Sequence, residues 1–421
     1  MLWPKFSYIY VALQILIMMA VEGNTAVGAM AGNQSLGMKH SFSNILLKAV
    51  SEEHKQGDMS VNLIFSPVSL EIVLAAAGMG AQGETRQQIA DAFGESLDLK
   101  SMKNRFSSIF EASQNNSYTL RVATRMFVQR NYTLKQNFVN SSLEVFNCGV
   151  AEVDFVEEPV LALNSVNGWV EENTGGLIKN LLSEDAITSD TRLVLANAVY
   201  FKGKWAQPFD KANTRKDKFN IAGGQQVDVD MMFVEKKFRY GYSRDLKAQV
   251  LELPYEGNRL SMVVLLPSLE SSVEELETKI SAADFDLSEL ITNHTSRREV
   301  MVHLPKFKLE LTTNLENILA KLGMTTMFTD VADFSGITSS PEGLKVSKVV
   351  QKAFIEVSEE GTEAAAATGI IIRKCRAAPS MPEIFKADRP FIYLISERDQ
   401  NTVVFMGNLV NCVQQRAHEE L

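Results

Sequence analysis

The chain has few of the residues on which metal sites, disulfide-built domains and most enzymes depend. Three cysteines (Cys148, Cys375 and Cys412) in 421 residues cannot make a disulfide framework, and an odd number leaves at least one thiol unpaired or joined to another molecule. Only five histidines occur, with no His-Glu-x-x-His, no Cys-x-x-Cys and no histidine beside a cysteine at ligand spacing, so no metal centre is expected. A Gly-x-Ser-x-Gly elbow and a Walker phosphate loop are also missing. Gly78-Met79-Gly80-Ala81-Gln82-Gly83 spells a dinucleotide fingerprint, but that motif must follow a strand, and Ser66-Pro67-Val68-Ser69-Leu70-Glu71 reads as a helix start. These glycines are therefore expected to connect two helices, and neither an enzyme nor a cofactor is indicated. Acidic residues outnumber basic ones 51 to 42, and the net charge of −9 argues against a nucleic-acid partner.

Long apolar runs are missing except at the start. Lys5 precedes an apolar stretch from Ile9 to Ala20, broken only by Gln14 and followed by small and polar residues. This is a signal-peptide layout, shorter than the roughly 20 residues that cross a bilayer as a helix. A cut after Gly23 would make residues 1–23 the signal, with cuts from Ala26 onward left open. Five Asn-x-Ser/Thr sequons, at Asn33, Asn115, Asn131, Asn140 and Asn293, suit a chain entering the secretory route. The chain ends His418-Glu419-Glu420-Leu421, close to the tetrapeptides that a retrieval receptor reads to return proteins to the endoplasmic reticulum. Glu419 replaces the usual Asp there, so some secretion is expected beside retention.

Between these ends nothing divides residues 24–421 into separate domains. Thr85-Arg86-Gln87-Gln88, Ser272-Val273-Glu274-Glu275 and Thr313-Asn314-Leu315-Glu316 have the form of helix capping boxes, and Gly94 and Gly323 are placed to end two helices. Leu193 to Phe201, Leu260 to Leu266, Val300 to Leu304, Phe307 to Leu311, Phe391 to Ile395 and Val403 to Met406 are strand-like runs, and Gly223-Gly224 reads as a hairpin turn. One large α+β domain is the economical expectation.

One segment combines opposing tendencies. From Glu359 it reads Glu-Glu-Gly-Thr-Glu-Ala-Ala-Ala-Ala-Thr-Gly, then Ile370-Ile371-Ile372, Arg373-Lys374-Cys375-Arg376 and Ala377-Ala378-Pro379. The alanines favour helix, Gly361 and Gly369 weaken regular structure, and the isoleucines favour strand. As a strand it would place Thr362, Ala364, Ala366 and Thr368 on one face and Glu363, Ala365, Ala367 and Gly369 on the other. The first face is small enough to slide between existing strands, where a charge or a bulky group would stall it.

The segment resembles the hinge and reactive-centre loop of the serpins. Asn62-Leu63-Ile64-Phe65-Ser66-Pro67-Val68-Ser69, Asn197-Ala198-Val199-Tyr200-Phe201-Lys202-Gly203-Lys204-Trp205, His303-Leu304-Pro305-Lys306-Phe307 and Phe385-Lys386-Ala387-Asp388-Arg389-Pro390-Phe391 are similar to signatures of that family, in the family's order. The resemblance implies a monomeric α+β fold of three sheets and about nine helices, with a loop exposed over about 358–382. It implies suicide inhibition, in which a serine protease attacks the loop and is trapped covalently as the loop inserts as a new strand. The hinge would be Glu359, Glu360, Gly361, Thr362, Glu363, Ala364, Ala365, Ala366, Ala367 and Thr368. Ser66, Ser69 and Asn197 would form a polar shutter beneath the opening sheet, and Trp205, Lys306 and Glu359 would lie where insertion begins. Gln351 stands where a shutter histidine is usual; it still donates and accepts hydrogen bonds but does not titrate.

Spacing from Gly361 points to Cys375 before the scissile bond, whereas spacing back from Arg389-Pro390-Phe391 points to Arg376. The bond is taken as Arg376-Ala377, with a loop one residue longer on its N-terminal side. Arg373 and Arg376 flank Lys374 and Cys375 in an Arg-x-x-Arg pattern that resembles the minimal site of furin-like proprotein convertases, whose acid-lined clefts receive guanidinium groups. With the retrieval tail, the whole resembles a furin-inhibiting serpin of insects retained in the endoplasmic reticulum. A trypsin-like target needing Arg376 alone, a convertase substrate, and a non-inhibitory chaperone serpin are the other readings. Cys375 is either indifferent or a thiol whose mixed disulfide switches inhibition off. Lys202, Lys204, Lys211, Lys216 and Lys218 are scattered as on a solvated face, with no dense basic stripe and no membrane surface in view.

Overall fold

The computed structural model describes residues 42–54, 61–113, 118–221, 224–282, 285–359, 381–398 and 402–412. The leader, Asn33, Asn115, residues 360–380 and the tail His418 to Leu421 lie outside them.

The N-terminal part is mostly helical. Helix α1 (42–54) buries Phe42, Leu46, Leu47 and Val50 along one face. A short strand β1 (Leu63–Phe65) leads to Ser66, whose Oγ accepts from the Ser69 amide to cap α2 (Pro67–Gly80), with Pro67 in the first turn. Every residue of α2 except Met79 is buried, because this helix is apolar on all sides and forms the centre of the core. Its Glu71 is buried with its charge paired, 2.5 Å from Arg105. The Gly78–Gly83 glycines connect α2 to α3 (Gly83–Phe93), as expected. Gly94 closes α3 with φ 66°. Helices α4 (Leu99–Ser113), α5 (Gln136–Phe146) and α6 (Pro159–Asn173) follow. Later come α7 (Val273–Ile280), capped by Ser272, then α8 (Leu287–His294) and α9 (Glu316–Lys321).

Two of the three expected capping boxes do not cap. Thr85 lies inside α3, buried, with its hydroxyl accepting from the Asp333 amide. Thr313 is still strand, and the Glu316 carboxylate accepts from the Val349 amide instead. In both, a long-range partner outcompeted the local bond.

Strands build three sheets. The first has the order β10 (Phe307–Asn314), β11 (Lys348–Val357), β4 (Leu193–Gly203), β2 (Tyr118–Gln129) and β3 (Gly149–Val153). The other two are joined by the 18-residue strand β6 (Gln226–Ser243). Its start pairs with β5 (Arg215–Asn220), the expected turn residue Gly223 lying outside the described residues and Gly224 having φ 76°, and its middle pairs with β9 (Ser296–Pro305), which also pairs with β12 (Glu383–Lys386). Its end pairs with β7 (Ala248–Pro254), continuing through β8 (Leu260–Pro267), β13 (Phe391–Glu397), β14 (Val403–Leu409) and β1. The six strand-like runs read from the sequence are all strands.

Strand β4 is apolar on both faces, and its alternation sorts it between two clusters. Leu193, Leu195, Val199 and Phe201 face inward to the main core that contains α2. Val194, Ala196, Ala198 and Tyr200 face outward under Ala162, Val166 and Val170 of α6. The five-stranded sheet thus lies between α2 and α6. Among the described residues, no helix is long and apolar enough to cross a membrane.

Candidate functional site

At the centre of the five-stranded sheet, β4 and β11 run parallel and pair directly, from Val194 against Lys348 to Lys202 against Glu356. Strand β11 ends at Val357 and leads through Ser358 and Glu359 into residues 360–380. A strand folding back from Glu359 would run antiparallel to β11 and, because β4 is parallel to β11, antiparallel to β4 as well. It would replace one parallel ladder by two antiparallel ones, which are the more stable pairing per residue.

Three cross-strand pairs close this seam. At its upper end, Lys202 Nζ lies 2.6 Å from Glu356 Oε1. Two residues down, the Tyr200 and Phe354 rings stack with centroids 4.8 Å apart. On the opposite, inward face, Gln351 Nε2 donates to Asn197 Oδ1 at 2.7 Å. All three are direct register partners.

The inward pair belongs to a closed polar network in the core. Gln351 Oε1 accepts from the Ser66 amide at 2.8 Å, and Nε2 also reaches Ser66 O at 2.9 Å and Ser69 Oγ at 3.1 Å. Ser69 Oγ donates to Asn197 Oδ1 at 2.8 Å, Asn197 Nδ2 donates to Ser69 O and Thr124 Oγ1, and Ser66 Oγ donates to Val404 O. The network ties β4 and β11 to the first turn of α2 and to neighbouring β2 and β14. Ser66, Ser69, Asn197 and Gln351 are each at most 2% exposed, so every lost bond would leave a dry polar atom.

A second cluster closes the upper end. Trp205 stacks on Tyr255 at 4.5 Å and donates from Nε1 to Ser358 O at 2.9 Å. Glu359 accepts from Lys306 Nζ at 2.8 Å and from Thr214 Oγ1 at 2.8 Å. Burial alone would raise the Glu359 carboxyl, but the bonds from Lys306, its own amide and Thr214 hold it below the usual carboxylate range. The pair therefore contributes fully above the unfolded value of about 4.3 and is lost as pH falls through the lower folded value. Glu359→Gln is expected to melt below the parent at pH 7 and to converge on it at pH 3, as read by differential scanning calorimetry. A gap of equal size at both pH values would remove Glu359 as the titrating group.

Beyond the undescribed segment the chain returns at Met381 into β12, which pairs with β9 over four residues. Ion pairs hold both ends of β12, Arg298–Glu383 at 3.0 Å and Lys386–Asp217 at 2.9 Å.

A family model described as Serpin (serine protease inhibitor) matches residues 38–412. The chain belongs to the serpin family. It is 39% identical to the leukocyte elastase inhibitor of Bos taurus over 87% of this chain and 97% of that one. It is 38% identical to serine protease inhibitor 42Dd of Drosophila melanogaster over 83% and 91%. Among solved structures it is similar to Serpin48, described as a highly specific serpin in the insect Tenebrio molitor. That match has a TM-score of 0.78 and 33% identity, and covers 90% of this chain and 98% of that one. The fold is the serpin fold, with nine helices and three sheets among the described residues.

The serpin residues named from the sequence fall into two groups, Ser66, Ser69, Asn197 and Gln351 at mid-seam and Trp205, Lys306 and Glu359 at its upper end. Hinge residues Glu360 to Thr368 and the Arg373-Lys374-Cys375-Arg376-Ala377 segment lie outside the described residues. Cys148 and Cys412 are free thiols, each pushed up to about 12 by burial. Asn131, Asn140 and Asn293 are exposed, as acceptors of glycans must be. Sequence reasoning missed Thr124, Thr214, the Tyr200–Phe354 stack and the Lys202–Glu356 pair. Lys202, expected on a solvated face, instead pairs with Glu356, a partner that only the β4–β11 register reveals.

Proposed function

We propose that this serpin is a suicide-substrate inhibitor of furin-like proprotein convertases in the secretory pathway, cleaved at Arg376-Ala377. The observation that carries the reading is the parallel β4–β11 seam, fed from its upper end by a segment whose side chains from Thr362 to Thr368 are small on one strand face. The target's serine attacks the Arg376 carbonyl, the Ala377 amine leaves, and the acyl-enzyme is carried with the loop as it enters the seam. Loop insertion is the known example of strand addition in this family. The exchange of one ladder for two across nine register pairs contributes net hydrogen-bond stability of about 5–14 kcal/mol, at about 0.5–1.5 kcal/mol per bond.

In this reading Ser66, Ser69, Asn197 and Gln351 are the shutter, and Trp205, Lys306 and Glu359 hold the point of entry. Arg373 and Arg376 present two guanidinium groups to an acid-lined cleft. The signal peptide and the His418-Glu419-Glu420-Leu421 tail keep the inhibitor in the compartments where convertases mature, the tail engaging a retrieval receptor.

The purified mature protein incubated with furin is expected to give a denaturant-resistant complex and a released peptide beginning at Ala377. Arg376→Ala should abolish complexes with both furin and trypsin. Arg373→Ala should slow the furin reaction about a hundredfold and leave trypsin nearly unchanged, because only the convertase demands the second guanidinium. Equal furin rates for Arg373→Ala and the parent would move the assignment to a trypsin-like target. Cleavage without a complex would make the protein a substrate or a chaperone.

A further inference from the structure

Four neighbouring strands carry one polar residue each at the same level of the inward face. Thr124 on β2 is the register partner of Asn197 on β4, Asn197 of Gln351 on β11, and Gln351 of Thr313 on β10. Directly opposed residues point to the same face of a sheet, and the two outer threonines are nearly as buried as the amides between them, at 4% and 3% exposed. Hydrogen bonds join the first three, Asn197 Nδ2 donating to Thr124 Oγ1 at 3.1 Å and Gln351 Nε2 to Asn197 Oδ1 at 2.7 Å. The row stops one bond short. Thr313 Oγ1 is buried and has no hydrogen-bond partner among the described residues. A buried hydroxyl without a partner costs the closed protein stability, and a valine of the same shape would suit the closed form better.

Opening the seam changes which bonds are available. A strand entering between β4 and β11 moves Asn197 and Gln351 from one strand spacing apart to two, about 9–10 Å, and their bond is lost. The ladders on either side, β2 with β4 and β10 with β11, are not crossed by that strand. Asn197 therefore keeps Thr124. Gln351 loses the shortest contact of its Nε2, at 2.7 Å against 2.9 Å to Ser66 O and 3.1 Å to Ser69 Oγ. Ser69 Oγ also donates to Asn197 Oδ1, so it cannot hold both amides once they part. At the level of Gln351, on its own side of the opening, Thr313 Oγ1 is an unused acceptor.

We infer that Thr313 is a positioning residue for loop insertion, whose hydroxyl accepts from Gln351 Nε2 in place of Asn197 as the seam opens. The inference rests on insertion between β4 and β11, as proposed above, and names a residue on which its ease depends. In the closed form Thr124, Asn197 and Gln351 are linked and Thr313 is idle. In the open form the row divides into Thr124 with Asn197 and Gln351 with Thr313, so both amides stay paired in each state. Opposed Cβ atoms in an antiparallel pair lie about 4.5–5.5 Å apart, and the exchange needs only rotation about the side-chain bonds of Gln351. Thr313 acts twice in the same direction. Its idle hydroxyl raises the free energy of the closed seam, and its bond lowers that of the opened one.

The test compares Thr313→Val, which keeps the shape and removes the hydroxyl, with Thr313→Ser, which keeps the hydroxyl. Three quantities are read on the full mature protein: the melting temperature by calorimetry, the partition of furin and trypsin between trapping and release, and the rate of spontaneous conversion to a loop-inserted or oligomeric form on native gels. Thr313→Val should melt about 1–3 °C above the parent and convert about tenfold more slowly, yet its partition should shift about tenfold from trapping toward hydrolysis. Thr313→Ser should partition and convert as the parent does, while melting lower for the missing methyl. A more stable protein that traps worse separates this role from a packing defect, which would lower stability and speed conversion. Parent-like partition and conversion for Thr313→Val would overturn the role of Thr313 and leave the insertion reading standing. A Thr313→Val protein that melts lower and converts faster would overturn it too, by making the hydroxyl part of the closed structure. A parent that traps neither protease would overturn the inhibitory reading itself; the conversion rates would then decide on Thr313, slower conversion of Thr313→Val sustaining its role and an equal rate ending it.

Discussion

Thr362→Arg is expected to turn the inhibitor into a substrate, with cleavage at Arg376-Ala377 intact and the covalent complex lost. In a strand entering between β4 and β11, Thr362 and Ala364 share a face. The inward side of that seam is filled by Val199 and Phe201, both 0% exposed. The outward side is open at its upper end, where Lys202 and Glu356 keep 39% and 30% of their side-chain surface. Glu363 fits that open side, which leaves Thr362 to meet the core. A guanidinium there has no carboxylate to meet, and burying an unpaired charge costs several kcal/mol even after the protein relaxes. At about 1.4 kcal/mol per power of ten, insertion slows by about a hundredfold to a thousandfold while hydrolysis of the acyl-enzyme proceeds as before. Mass spectrometry of the furin reaction would show a released peptide and a cleaved inhibitor with almost no complex. A full yield of complex would mean that Thr362 never enters the seam, and with it the proposed register of insertion would fail.

The legible parts of this molecule were those whose chemistry is local in sequence. Buried strands such as Leu193 to Phe201 and Phe391 to Ile395 declare themselves because both faces are apolar, and the Ser66-Pro67 start of α2 needs only its own first turn. The four residues of the mid-seam network were named from family resemblance, residue by residue, yet the bonds that join them were not legible. Ser66 and Gln351 are 285 positions apart, and nothing in either neighbourhood states that one amide group satisfies both the Ser66 amide and the Asn197 carbonyl oxygen. Strand β6 is hard to read because different stretches of its length pair in different sheets, and charged Glu235-Lys236-Lys237 interrupts the apolar pattern that marks a strand. Thr85 and Thr313 erred in the other direction, since a correct local motif was overruled by tertiary partners.

Asn197→Ala is expected to release the seam without any protease. The side chain makes four of the bonds in the closed network, to Gln351, Ser69 Oγ, Ser69 O and Thr124, and it is fully buried. Its removal strands donors and acceptors that no water reaches, a loss of about 2–5 kcal/mol. Because the network bridges β4 and β11, much of that loss falls on the barrier to opening. Spontaneous conversion to an inactive, loop-inserted or intermolecularly inserted form should then accelerate by about one to three powers of ten. Inhibitory capacity followed over time at 37 °C, with native gels to separate monomer from oligomer, reads the rate directly. Gln351→His separates hydrogen bonding from charge. An imidazole offers one acceptor and one donor where the amide offers an acceptor and two donors, so the variant keeps part of the network near pH 8. A histidine also titrates near 6.5, and a second proton on the ring would abolish the acceptor that the Ser66 amide requires. Its conversion rate should therefore climb between pH 7 and 5 while that of the parent stays flat, making Gln351 the residue that keeps this seam shut as pH falls. Parallel pH profiles for the two proteins would show that the amide is merely a substitute of equal kind, and that resistance to acid resides elsewhere.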